Sequence, residues 1–243
     1  MTNTDSHPAA DERPRTIAFV AYPGLTLLDL AGPLQTCSGL PHSGLPFEVV
    51  TVAAAKDIPL DTDTPLAVTA NRTFAEVPAP DVLVVPGGGE PTLAALADAE
   101  LIGYIRTAAE TATTVASVCT GALLLGEAGL LDGRKATTHW IYRDLLTSFG
   151  ATPVAERWVE DGPVLTAAGV AAGIDMALHL LARLVGPEFA RSTQLFLEYD
   201  PRPPHGPIDW DRVDTPAYAG VPERQIGNAL ADHPELAAKL LGR

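Results

Sequence analysis

Between Thr113 and Gly126 the chain leaves room for only one kind of turn. Thr113-Thr114-Val115-Ala116-Ser117-Val118 is a β-branched, apolar run. Cys119-Thr120-Gly121-Ala122-Leu123-Leu124-Leu125-Gly126 follows at once with helical character, and no residues are spare for a loop. Cys119 is therefore expected on a sharp strand-to-helix turn, the geometry of a nucleophile elbow. Gly121 and Ala122 let neighbouring backbone pass close to it. The thiol would lie at a helix N-terminus, whose partial positive charge favours thiolate and is expected to lower the cysteine pKa. A buried structural cysteine is the plainer reading of a lone Cys; the elbow context favours the nucleophile.

Composition narrows the classes. At 243 residues the chain has the size of one α/β domain, with no repeats and no linker. Aromatics make up only 6% of the residues, so the core must be built from Val, Leu, Ile and Ala. A net charge of −14 repels phosphate backbones and argues against nucleic-acid binding. No apolar run reaches the ~20 residues that span a bilayer, and the polar N-terminus lacks the apolar segment of a signal peptide. Two cysteines do not make a disulfide framework. These features together point to a cytoplasmic protein with a reduced thiol, without membrane or nucleic-acid partners.

Three segments follow: a disordered tail at 1–15, an α/β domain at 16–200, and a C-terminal arm with a weak helix packed on the domain at 201–243. Thr16 to Tyr22 is a first buried strand, broken by Pro23-Gly24. Pro33 suits the first turn of a helix running towards Cys37. That places Asp29 just before the helix, flanked by Leu27, Leu28 and Leu30, as either a helix cap or a buried functional carboxyl. Phe47 to Ala54 is a second strand, and Asp57 to Phe74 reads as a hairpin excursion. Asp81 to Val85 is a buried strand ending in Pro86-Gly87-Gly88-Gly89, either a plain turn or backbone N–H groups aimed into a cleft. An amphipathic helix is expected over 101–112, then the Cys119 strand, elbow and helix. Lys135 to Thr138 is a short strand before His139-Trp140, and Ile141 to Phe149 a helix. Strands at 152–159 and 164–167 meet at Asp161-Gly162. Helices cover 174–185 and 188–198, an extended proline arm covers 201–216, and a weak helix covers 222–241.

Alternating strands and helices with unbroken apolar strands imply a doubly wound, mostly parallel sheet, flavodoxin-like, flanked by helices. Sites in such folds lie at the carboxyl ends of the strands. Asp29, Gly87-Gly88 and Cys119 come from three such ends.

Ala116-Ser117-Val118-Cys119-Thr120-Gly121-Ala122 and Ala128 to Trp140, ending Thr137-Thr138-His139-Trp140, resemble the ThiJ/PfpI group of the class I glutamine amidotransferase-like superfamily. Leu28-Asp29-Leu30-Ala31-Gly32-Pro33, Val85-Pro86-Gly87-Gly88 and Gln194 to Tyr199 extend the resemblance over about residues 16 to 210, and point within the group to its isonitrile-hydrating branch. Peptidase and amidotransferase branches carry His directly after the nucleophile, where this chain has Thr120. Deglycase-like members usually have Glu near the Asp29 position. AraC-type regulators share the Cys-Thr-Gly and Thr-Thr-His-Trp signatures but add a basic helix-turn-helix module, whereas the C-terminal segment here is not basic.

The resemblance implies addition of water to a small isonitrile, R–N≡C, to give an N-substituted formamide through a Cys119 thioimidate. Asp29 would then be the acid and later the base. Thr120, by hydroxyl and backbone N–H, with the Gly87 and Gly88 N–H groups, would bind substrate and stabilise charge. No metal or other cofactor is called for, and a homodimer is expected. Two alternatives stand beside it: a cysteine enzyme acting on carbonyl compounds, and a non-catalytic redox or ligand sensor. His139 is either a structural histidine or an extra participant. Cys37 packs on its helix, and Asp175 caps or opens its own.

Overall fold

The computed structural model of the protein describes residues 13–243. Most of the expected tail, residues 1–12, lies outside the described residues; Arg13 pairs with Asp81, and Arg15 already opens the first strand. In chain order the elements are β1 (Arg15–Val20), α1 (Leu27–Cys37), the single turn α2 (Gly39–His42), β2 (Phe47–Ala53), β3 (Arg72–Thr73), β4 (Val82–Val85), α3 (Glu90–Ala95), α4 (Ala99–Ala109), β5 (Thr114–Val118) and α5 (Gly121–Glu127). Then come β6 (Lys135–Ala136), a 3-10 helix over Trp140–Phe149, β7 (Thr152–Pro153), β8 (Trp158–Asp161), β9 (Val164–Ala167), α6 (Ala172–Val185), α7 (Pro187–Phe196), α8 (Gly220–Ala229) and α9 (Pro234–Leu241).

Seven strands form one sheet in the order β3-β2-β1-β4-β5-β9-β8. All neighbours run parallel except β8, which is antiparallel to β9. Every residue of β4, β5 and β9 is buried, which is why these strands read as unbroken apolar runs rather than as alternation. α1 and α6 pack on each other over β1, β5 and β9, and α4 and α5 pack on each other over β4 and β5. From β1 the chain steps outward to β2 and β3, then returns to β4 and continues to the other edge. The switch point between β1 and β4 is where a doubly wound sheet opens a crevice. The start of α1, the loop after β4 and the turn after β5 all reach it.

Several expectations need correcting. α1 begins at Leu27, so Asp29 sits inside its first turn, and Pro33 lies within the helix rather than at its start. Pro33 has no N–H, so the Asp29 carbonyl goes without its partner four residues on. The 57–74 excursion is not a hairpin of the sheet. It holds one antiparallel bridge, Leu60 to Val68, and then β3 extends the sheet parallel to β2. The segment 201–216 includes a 3-10 turn at Trp210–Arg212, and the single weak helix is two helices, α8 and α9.

Candidate active site

Cys119 is the hinge of the β5–α5 turn. Its φ is +57°, one of three positive values at non-glycine residues among the described residues. For a residue with a Cβ that backbone costs about 1–2 kcal/mol, so the surroundings must hold it. The Cys119 N–H donates to the carbonyls of Ala167 and Ala168, 3.1 Å each. Its carbonyl accepts from Thr138 Oγ1 at 2.6 Å. Gly121 permits the close approach: a Cβ there would stand 2.2 Å from the Val85 carbonyl oxygen. Behind the turn, every residue of α5 from Gly121 to Gly126 is buried, so the helix is packed all round.

Asp29 caps nothing. Its carboxylate crosses the crevice, where Oδ2 accepts from the Gly87 N–H at 3.1 Å. The whole residue is buried, and Oδ1 has no hydrogen-bond partner among the described residues. Leu28 does not contribute to this burial; it faces outward at 45% exposure, while Leu30 is inside. Gly87 must be glycine for this contact, since a Cβ there would stand 2.6 Å from Thr120 N and 2.9 Å from Asp29 Oδ2.

Thr120 is buried, and its side chain does not cap α5. Its Oγ1 accepts from the Gly88 N–H at 3.0 Å and the Gly89 N–H at 3.1 Å, and pairs with Thr92 Oγ1 at 2.9 Å. Thr92 Oγ1 in turn pairs with the Tyr22 hydroxyl at 2.9 Å, and that hydroxyl donates to the Pro86 carbonyl. A carbonyl can only accept, which sets the direction of the whole row. Tyr22 gives its proton to Pro86, Thr92 gives its proton to Tyr22, and Thr120 gives its proton to Thr92. The Thr120 hydroxyl therefore has no proton left for the Cys119 sulfur. What Thr120 offers the thiol is its main-chain N–H. The N–H groups of Gly87, Gly88 and Gly89 are likewise engaged, on Asp29 and Thr120, rather than open to a ligand.

The electrostatics correct the expected acid thiol. Burial, then the nearby Asp29 carboxylate, push the Cys119 thiol well above its ordinary range, outweighing the Thr120 main-chain N–H. Burial also pushes Asp29 up to about 7, against the opposing influence of the nearby Cys119 thiol and the hydrogen bond from the Gly87 N–H. Two acids in one dry place disfavour two negative charges, so the pair carries at most one.

Other expected and unexpected residues fall as follows. His139 starts the 3-10 helix, and its Nδ1 accepts from the Ile141 N–H at 3.4 Å, which puts the ring proton on Nε2. Burial, then Arg143, hold its pKa below the usual histidine value, so the ring is neutral at pH 7. Cys37 is buried in the core, its thiol pushed up to about 12 by that burial. Asp175 lies in the first turn of α6 and accepts from Arg157 and the Tyr199 hydroxyl. Asp63, in the irregular excursion, accepts from the Leu27 N–H at 2.9 Å and so fixes the start of α1. Tyr142 and Gln225 bond to each other at the rim. Thr92, Asp63, Tyr142 and Gln225 were not anticipated, because their partners lie 28 to 83 residues away. Among the described residues no group of three or more His, Cys, Asp or Glu side chains converges as a metal site would, and no helix is long and apolar enough to cross a membrane.

Residues 15–183 match the DJ-1/PfpI family. The chain is 43% identical over 209 residues to isonitrile hydratase of Pseudomonas putida, covering 85% of this chain and 87% of that protein. It is 32% identical over 184 residues to the HTH-type transcriptional regulator CdhR of Pseudomonas aeruginosa, covering 74% of this chain and 53% of the regulator. A crystal structure of a ThiJ/PfpI family protein from Pseudomonas syringae superimposes with a TM-score of 0.80 at 35% identity, over 100% of this chain and 98% of that one.

Proposed function

The chain belongs to the DJ-1/PfpI family, and from that premise we propose that it adds water to isonitriles, with Cys119 as nucleophile and Asp29 as its proton partner. The observation that carries this reading is the pairing of a buried thiol with a buried carboxylate whose Oδ1 is uncommitted. An isonitrile carbon needs a nucleophile and a proton at the same atom, and this pair holds one of each.

The steps balance as follows. Asp29 Oδ1 takes the Cys119 proton as sulfur attacks the terminal carbon, and returns that proton to the same carbon. The product is the thioimidate Cys119–S–CH=N–R. Asp29, ionised again, takes a proton from water as its oxygen adds to the carbon, and hands that proton to the nitrogen. It then takes the hydroxyl proton of the adduct as collapse releases the thiolate and R–NH–CHO, and passes that proton to sulfur. The Thr120 N–H stabilises sulfur while it is charged. Gly87 and Gly88 act by holding Asp29 and Thr120 in place. No step calls for a metal.

Incubation with a simple alkyl isonitrile and detection of the formamide by mass spectrometry tests the reading. Turnover of methylglyoxal without formamide formation would assign the site to carbonyl compounds instead. Binding of isonitrile without turnover would make it a sensor.

Thr120→Val strands the buried N–H of Gly88, at about 1–3 kcal/mol when left unpaired, and the half-buried N–H of Gly89. The expected result is a lower melting temperature and slower hydration, while Thr120→Ser keeps the row and stays near the parent. Equal rates and equal melting in the two variants would show that the hydroxyl holds nothing.

We also propose a homodimer. Leu195 and Phe196 are 79% and 92% exposed at the end of α7, where Phe196 forms part of the wall of a groove of about 530 Å³ lined also by Gln35, Ser38, His42, Phe189 and Thr193. A projecting apolar pair next to a groove on the same face suits a two-fold contact with a second copy. Sedimentation equilibrium at micromolar concentration should give twice the chain mass, and Phe196→Asp should halve it; a monomeric parent would contradict the proposal.

A further inference from the structure

Tyr142 is a buried polar side chain that the steps above leave unused. It stands in the first turn of the 3-10 helix, and its hydroxyl donates to Gln225 Oε1 of α8. The hydroxyl also overhangs the loop after β4: a Cβ placed on Gly89 would lie 3.6 Å from it. The Gly89 N–H is bonded to Thr120, the residue next to the nucleophile. The ring packs edge-on against His139, with centroids 5.8 Å apart. Burial, then the nearness of Cys119, keep the phenol protonated and neutral.

We propose that Tyr142, clamped by Gln225, is the specificity-determining wall of the Cys119 site and limits the bulk of the group borne by the atom that sulfur attacks. The inference rests on Cys119 being the reacting group. A buried phenol with its only proton spent on Gln225 swings aside only by breaking that bond. α8 lies outside the stretch that matches the family. Selectivity would thus be set by a C-terminal helix, on a site whose reacting residues lie in the shared domain.

The test uses iodoacetamide and its N-benzyl analogue on the whole protein, with alkylation of Cys119 followed by mass spectrometry. Wild type is compared with Gln225→Leu, which removes the acceptor, Gln225→Glu, which keeps one, and Tyr142→Ala, which removes the wall; circular dichroism confirms that each is folded. Gln225→Leu and Tyr142→Ala should raise the ratio of bulky to small reagent rates about tenfold, as for a pocket that gains room for a few carbons, while the iodoacetamide rate of Gln225→Leu stays within about threefold. Gln225→Glu should restore the parent ratio. A ratio unchanged in both open variants, an equal rise for both reagents, or a thiol still closed in Tyr142→Ala overturns the proposal. Alkylation needs no turnover, so a shifted ratio in a protein inert towards isonitriles would sink the substrate reading and leave the wall standing.

Discussion

Cys119→Ala should fold as the parent does and make no formamide. Alanine keeps the Cβ, so the strained φ of +57° is neither relieved nor worsened, and the carbonyls of Ala167 and Ala168 still hold the turn through its N–H. What disappears is the sulfur, and with it the covalent route. Formamide output should drop to the uncatalysed background, measured by mass spectrometry with melting temperature as the control. Cys119→Ser should be nearly as inactive. A hydroxyl is a much weaker acid than a thiol, and a carboxylate whose conjugate acid titrates near 7 cannot ionise it appreciably. Rates near the parent in either variant would remove Cys119 from the mechanism.

Asp29→Asn should lower turnover by roughly two to four decades, the usual span for a lost acid–base group. The same substitution should stabilise the protein. Folded Asp29 keeps its proton up to about pH 7, and an unfolded carboxyl only to 3.8. Between those values the folded state binds more protons, so stability falls as pH rises through the window, and the cost is complete above pH 7. Asparagine carries no charge there and can still accept from Gly87, so its melting temperature at pH 8 should lie several degrees above the parent's, at roughly 2–4 °C per kcal/mol. The parent's kcat/KM should climb with pH through about 7, as Asp29 becomes able to take the thiol proton. In the asparagine variant that limb should be absent from the pH–rate profile. Unchanged rates would return Asp29 to a structural role.

The sequence carried the elbow plainly, because an apolar β-branched run passing straight into a helix leaves no alternative turn. It carried Asp29 as a candidate but misplaced it relative to α1, because Pro33 looked like a helix start and is tolerated inside the helix. The thiol's acidity was misread for a reason of scale. A helix terminus contributes a fraction of a charge, whereas complete burial beside a carboxylate acts on the whole of one. Gly87 and Gly88 were visible as a strand end, but not the partners of their N–H groups, which depend on where Asp29 and Thr120 arrive in space. Tyr142 and Gln225 are 83 residues apart, and no local pattern marks either.

The fixed sense of the row from Thr120 through Thr92 and Tyr22 to Pro86 bears on the proton inventory of the crevice. A chain of hydroxyls that ends on a carbonyl cannot run backwards, so none of its members can lend or borrow a proton during a cycle. The neutral His139 ring has already committed its Nδ1 to the backbone. In the proposed reaction Asp29 is then the one proton carrier beside the sulfur. The two halves of the reaction must then run strictly in turn, with carbon protonated before water is activated, because the carrier cannot be loaded and empty at once.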